Sequence, residues 1–292
     1  MRRFTYTISK KEAGYSVQQY LKERRGFSRK SITRAKFTEG CLLVGGIQVR
    51  STHLLKEGDV LEITLTDAYR SNPGEVPGVR VLFEDEDVIV LEKPAGVPVH
   101  PSRAHPYDTL VNFYAEHTKG EAHPTLLRII TRLDKDTSGI VLAGKNAYAA
   151  ANLTVTRKVY QAIACGEIEG QEGTIDAPIR REGEDSPRRW VFPDGKRAVT
   201  HYQVLAKGAG YTALRIWLET GRTHQIRVHF ASTGHPLAGD RLYKGGESDI
   251  KRQALHCGEV TFCHPVTGEE VSLVSPVPED MERLLTKIKG RP

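Results

Sequence analysis

From Val79 onward the chain is a succession of short β-rich runs separated by glycine, proline and polar residues, a pattern that admits few architectures. Val79 to Phe83, Val88 to Leu91, Gly139 to Ala143, Val159 to Ala164, Ala198 to Leu205, Tyr211 to Leu218 and Val260 to Phe262 predict strands. Helical candidates are fewer: Leu110 to His117, Ala147 to Leu153, His224 to Ser232, and a terminal one from Glu279 to Lys289. This balance predicts an α+β fold on a large, mostly antiparallel or mixed sheet. Arg180 to Arg197 is polar and dense in charge, and predicts a loop.

The front of the chain follows a different plan. Ser16 can cap a helix carrying Val17, Tyr20 and Leu21, and Ser28 another carrying Ile32 and Ala35. Cys41 to Val44 and Ile47 to Val49 then read as strands joined at Gly45-Gly46. Tyr69 to Gly78, rich in Pro, Gly and polar residues, reads as a linker, so the expected division is 1–68, 69–78 and 79–292. Charge supports a separate role for the first part. Residues 1–68 hold 13 Lys and Arg against 7 Asp and Glu, leaving 29 of each for the rest of the chain. Around Arg24, Arg25, Arg29, Lys30 and Arg34 the acidic residues within the stretch are Glu23 and Glu39. A cluster so poor in counter-charge suits a phosphate backbone, although a solvated helix face would read alike.

At 292 residues, with 39% hydrophobic and 27% charged, the chain can bury a sizeable core. No apolar run approaches a membrane span, and the start lacks the apolar core of a signal peptide, so the expected location is the cytoplasm. Cys41, Cys165, Cys257 and Cys263 lack metal-ligand spacing and read as reduced core residues.

The chemistry concentrates in Arg132-Leu133-Asp134-Lys135-Asp136-Thr137-Ser138-Gly139, after the apolar stretch Leu126 to Ile130. A carboxylate between cations and hydroxyls suits a reaction centre and equally a polar turn. Other motifs surround it in order. They are Val88 through Lys93-Pro94-Ala95-Gly96 to His100-Pro101, Lys158-Val159-Tyr160-Gln161, Leu218 through Arg222-Thr223-His224-Gln225-Ile226-Arg227 to His229, Gly234-His235-Pro236-Leu237-Ala238-Gly239-Asp240, Ala254 to Cys257, and Phe262 to Pro265.

Together these resemble the RluA family of RNA pseudouridine synthases over roughly Val79 to Ser275. The front segment is similar to the S-four-like RNA-binding domain that commonly precedes that catalytic domain. The resemblance implies the pseudouridine synthase fold, a curved mixed sheet with a catalytic cleft, and isomerisation of uridine to pseudouridine in RNA. It implies no cofactor and no metal, with RNA as the partner: large-subunit ribosomal RNA first, transfer RNA second. Asp134 falls on the family's catalytic aspartate, Arg227 on the arginine that pairs with it, and Tyr160 on the tyrosine that stacks on uracil. The pairing arginine is expected to hold Asp134 in a bidentate fork. Arg132 is a candidate for filling the space left by a flipped nucleotide, with a structural salt bridge as its alternative. Lys93, His100 and His224 lie in matching motifs and could line the cleft or be structural. One departure is Thr131, where the family usually has His. Two other readings are a haloacid-dehalogenase-like loop at Asp134 to Thr137, and a noncatalytic RNA-binding or ribosome-assembly protein.

Overall fold

The computed structural model describes residues 1–66, 71–121, 126–246 and 249–290. The front segment builds a four-stranded sheet in the order β1-β4-β2-β3 from β1 (Arg2–Thr7), β2 (Leu42–Val44), β3 (Ile47–Gln48) and β4 (Val60–Leu65). The short α1 (Val17–Gln19), continued by a π turn over Tyr20–Arg24, and α2 (Arg29–Phe37) pack on it. Both predicted caps are in place: the hydroxyls of Ser16 and Ser28 accept the backbone N–H of Gln19 and Ser31. Gly45 and Gly46 take φ of 56° and 80°, which a two-residue hairpin turn demands and which side chains resist. The N-terminal strand β1 went unmarked in the sequence because it has no flanking turn signals of its own.

The second sheet has ten strands. Its main path runs β10-β13-β14-β9-β15-β8-β6-β5 over β5 (Arg80–Glu84), β6 (Val88–Lys93), β8 (Ser138–Gly144), β9 (Thr154–Cys165), β10 (Glu172–Asp176), β13 (Val199–Gly208), β14 (Tyr211–Leu218) and β15 (Leu255–Cys263). The short β7 (Arg128–Ile129) adds to β8, and β16 (Glu270–Val274) to β15. Every pairing is antiparallel except β8 with β15, so the expected mixed, mostly antiparallel sheet is what the chain forms. Alternate residues of β6 enter different cores: Val88 and Val90 join Tyr160 and Phe230, whereas Ile89 and Leu91 join α3 (Leu110–His117). Both faces are thus covered, which explains the nearly continuous apolar runs of β6 and β8. α5 (Gln225–Ser232) lies on the first face, and α6 (Glu279–Ile288) packs by Met281 and Leu284 around Ile163 and Ala213.

Arg180 to Arg197 differs from expectation. It contains a hairpin of β11 (Ile179–Arg181) and β12 (Arg189–Val191), whose apolar Ile179 and Val191 pack near Val228 of α5. Three consecutive residues per strand are too few for an alternating pattern to show in the sequence.

Between the two sheets, Ala68, Tyr69 and Arg70, where the expected boundary falls, lie outside the described residues. The following stretch is held against α3, where Asn112 donates to Asn72 O at 2.8 Å and its own carbonyl accepts from Gly74 N at 3.2 Å. Phe4 and Phe27 pack on Tyr148 of α4 (Ala147–Asn152), with ring centroids 4.8 and 4.6 Å away. A two-bond ion pair from Arg2 to the buried Asp87 adds to this contact.

Candidate active site

Asp134 stands on the loop between β7 and β8, and several buried groups fix that loop. Lys93, fully buried at the end of β6, donates to the carbonyls of Pro94 at 2.9 Å, Val97 at 2.8 Å and Lys135 at 2.7 Å. Burial pulls its ammonium down to about 7, against the pull of Asp136 and Asp134. The three carbonyls favour the protonated form, since a neutral amine has two hydrogens and would leave one acceptor unmet. Thr131, the departure from the family pattern, is buried, and its hydroxyl accepts the Leu142 N–H at 2.9 Å. Gly139, at φ 116°, lets β8 approach the Cys257 backbone where a Cβ would collide.

Arg227 enters from the first turn of α5 and touches Asp134, but with a different division of bonds from that expected. Its fork grips Asp240, Nε to Oδ2 at 2.6 Å and Nη2 to Oδ1 at 2.9 Å, while Nη1 reaches Asp134 Oδ2 at 2.8 Å. The reason is burial. Asp240 is fully enclosed and must have both oxygens satisfied, whereas the Asp134 side chain is 27% exposed. Among the described residues Asp134 Oδ1 has no hydrogen-bond donor, so one oxygen is held and the other is free. Burial works against the Arg227 charge, yet Asp240 and then Asp134 more than offset this and raise its pKa.

His224 precedes α5 in a left-handed conformation, φ 58° and ψ 17°, a strained choice for a residue with a Cβ. Its Nε2 is 3.8 Å from Asp134 Oδ2, and its Nδ1 is 3.0 Å from the Tyr243 hydroxyl. That hydroxyl also accepts the Arg189 N–H, an arrangement that favours the tautomer with hydrogen on Nε2. Burial, with Arg227 and Arg189 nearby, lowers the imidazole's pKa although Asp134 and Asp240 oppose them.

These groups open on a cavity of 360 Å³, whose wall carries Lys135, Arg227, Arg241, Lys251 and Arg252 against Asp134, Asp136 and Asp240. Five cations against three carboxylates favour an anionic ligand. A larger groove of 490 Å³ lies where α2 faces α4; its wall carries Arg2, Lys30, Arg34 and Arg128 but no carboxylate that could act in the reaction.

Asp134, Arg227 and His224 therefore meet, whereas the other candidates are placed differently. Tyr160 is 5% exposed, lies in the core among Ile140 and Ile216, and sits opposite Cys257 in the β9–β15 ladder. Burial first, then Cys257 and Asp134, push its pKa well up. It is not among the residues that line the cavity, although it is close enough to feel the Asp134 charge. Arg132 is exposed, and among the described residues no carboxylate pairs with it. His100 is exposed as well. In the front module Arg24, Arg29, Lys30 and Arg34 face outward. Arg25 instead pairs with Glu12 at 3.2 Å and lies 4.7 Å from the Tyr6 ring centre, a partner too distant in sequence to be anticipated.

Asp240 closes a motif noted in the sequence but carries no role there, and Tyr243 and Arg189 lie outside those motifs. Asp240 follows Gly239 as many turn aspartates do, and only its burial opposite Arg227 sets it apart.

A buried Arg–Asp pair beside a half-free carboxylate on a mixed sheet is an arrangement that leaves one carboxylate available for covalent or proton-transfer chemistry. Comparison with known proteins identifies the class more closely. The model of the RNA pseudouridylate synthase family matches residues 87–232. The chain is similar to an uncharacterized RNA pseudouridine synthase, YjbO, of Bacillus subtilis, 38% identical over 92% of this chain and 98% of the relative. It is also similar to ribosomal large subunit pseudouridine synthase D of Xanthomonas campestris, 37% identical over 86% and 82% of the two chains. Among solved structures, human RNA pseudouridylate synthase domain containing 1 shares the fold, with a TM-score of 0.57 and 24% identity over 76% of this chain and 98% of its own. The chain belongs to the RNA pseudouridylate synthase family, in its RluA branch, and is an RNA pseudouridine synthase. That membership replaces the phosphohydrolase reading of the Asp134 loop.

Proposed function

We propose that this synthase acts on large-subunit ribosomal RNA, with Asp134 as the catalytic carboxylate and the front module as an electrostatic clamp. One observation carries the assignment: Asp134 has one oxygen held by a buried guanidinium and the other open to a cation-rich cavity. The reaction breaks the bond from the ribose to N1 of uracil and makes one to C5, which then loses its hydrogen as N1 gains one. Asp134 serves as nucleophile or base, and the Arg227 guanidinium, donating to its Oδ2 at 2.8 Å, orients it. By its match to the family's tyrosine Tyr160 is assigned to the uracil, and Arg132 to the RNA from which the uridine has been extruded. Relatives named for the large ribosomal subunit support the choice of RNA. The enzyme would then work where ribosomes are assembled, in the cytoplasm, and no helix among the described residues is long and apolar enough to cross a membrane.

The clamp consists of residues 1–68, with 69–78 as the connection to a catalytic domain at 79–292. Its contact surface is the outward face of Arg24, Arg29, Lys30 and Arg34, extended by Phe37, 79% exposed with the Lys36 ammonium 4.6 Å from its ring centre. Arg25 acts within the module, holding Tyr6 and Tyr20 in place.

Transcripts of large-subunit and transfer RNA test both parts. The enzyme converts uridine in the former, and conversion of transfer RNA alone would replace the substrate assignment. Changing Arg24, Arg29 and Lys30 together to glutamine should reduce the slope of log affinity against log salt by about 2 to 3, since each phosphate contact contributes about 0.7 to 0.9. An unchanged slope would remove the clamp.

A further inference from the structure

We propose that Arg189, on the β11–β12 hairpin, binds a phosphate of the RNA backbone beside the target uridine. The inference rests on the reading of Asp134 above and adds a ligand for a residue that the reading leaves idle.

The hairpin is tied to the reaction centre by a short series of contacts. Arg189 donates its backbone N–H to the Tyr243 hydroxyl at 3.0 Å, and the neighbouring Trp190 stacks on the Tyr243 ring, centroids 6.3 Å apart at 18°. Tyr243 meets His224 at 3.0 Å, and His224 lies 3.8 Å from Asp134. The Arg189 charge extends into this group, where it helps to lower the His224 pKa.

The side chain itself is unoccupied. Among the hairpin's arginines, Arg180 pairs with Asp194 at 2.8 Å, Arg181 donates to the Glu184 carbonyl, and Arg188 pairs with Glu182 at 3.5 Å while its Nε is left without a partner. Arg189 has no acidic or carbonyl partner among the described residues, and its Nη1 is buried without any hydrogen bond. Proteins seldom bury a charged donor unmet unless a ligand completes it. Arg189 is partly exposed, a guanidinium matches the forked geometry of a phosphate, and His224, reached from Arg189 through Tyr243, lines the cavity whose wall is net positive. A phosphodiester held there would anchor the strand as the uridine leaves its stack.

The test uses the full-length enzyme and in vitro transcribed large-subunit ribosomal RNA. Arg189→Gln should raise KM for RNA several-fold and reduce the salt slope of binding by about 0.7, the contribution of one single-strand phosphate. Arg189→Lys, which keeps the charge, should retain the slope. Arg180→Gln, on the same hairpin but already paired with Asp194, should behave as wild type. Equal slopes for wild type and Arg189→Gln would overturn the phosphate site. A slope lost in both the Gln and Lys variants would also overturn it, by showing that the residue only supports the hairpin. A wild-type enzyme that converts no uridine in this RNA would count against the substrate assignment instead, so the two failures are distinguishable.

Discussion

Asp134→Asn should cut the single-turnover rate of pseudouridine formation by on the order of a thousandfold, within the range that a positioned acid–base or nucleophilic group supplies. The amide matches the carboxylate in shape, and Arg227 keeps its fork on Asp240, so the fold is unaffected. What disappears is the basic, nucleophilic oxygen facing the cavity. Single-turnover conversion at saturating RNA, beside a melting curve, separates chemistry from folding. Retention of a tenth of the wild-type rate would take the reaction away from Asp134.

Removing Asp240 should act through stability first. Asp240→Ala leaves Arg227, whose side chain is 8% exposed, with only Asp134 to neutralise its guanidinium. Breaking a buried ion pair from one side costs about 3 to 5 kcal/mol. For a protein of this size that lowers the melting temperature by roughly 5 to 8 °C. Asp240→Asn keeps the shape while losing the charge, so a folded variant is expected whose kcat falls while KM stays near wild type. In that variant the guanidinium is free to turn its fork toward Asp134 and withdraw the oxygen the reaction needs. An Ala variant with unchanged melting and rate would show that Asp240 does not hold Arg227 for the reaction.

The contrast between Asp134 and Asp240 shows where the sequence was legible. Asp134 lies in a dense local pattern, and elements around it follow from signals that one segment carries alone, the continuous apolar run of β6 and the capped, apolar-striped α3 among them. The caps at Ser16 and Ser28 and the Gly45-Gly46 turn are equally local. Asp240 meets Arg227 across a turn, Arg25 meets Glu12 across a module, and Arg189 meets Tyr243 across 54 positions. Such pairings are decided by how elements pack, and composition carries no trace of them. The bidentate fork failed as an expectation for the same reason: a guanidinium between two carboxylates favours the more buried one, and burial is a property of the fold. The edge strands β10 and β16 escaped notice because half of their residues face water, which makes short polar strands resemble loops.

The central claim, that this chain isomerises uridine in ribosomal RNA through Asp134, is tested most directly by mapping pseudouridine across total RNA. The maps should come from a strain lacking the gene and from the same strain carrying either the wild type or Asp134→Asn. Large-subunit positions should lose pseudouridine in the deletion, regain it with the wild type and stay unmodified with Asp134→Asn. Identical maps in all strains, or restoration by Asp134→Asn, would contradict the account.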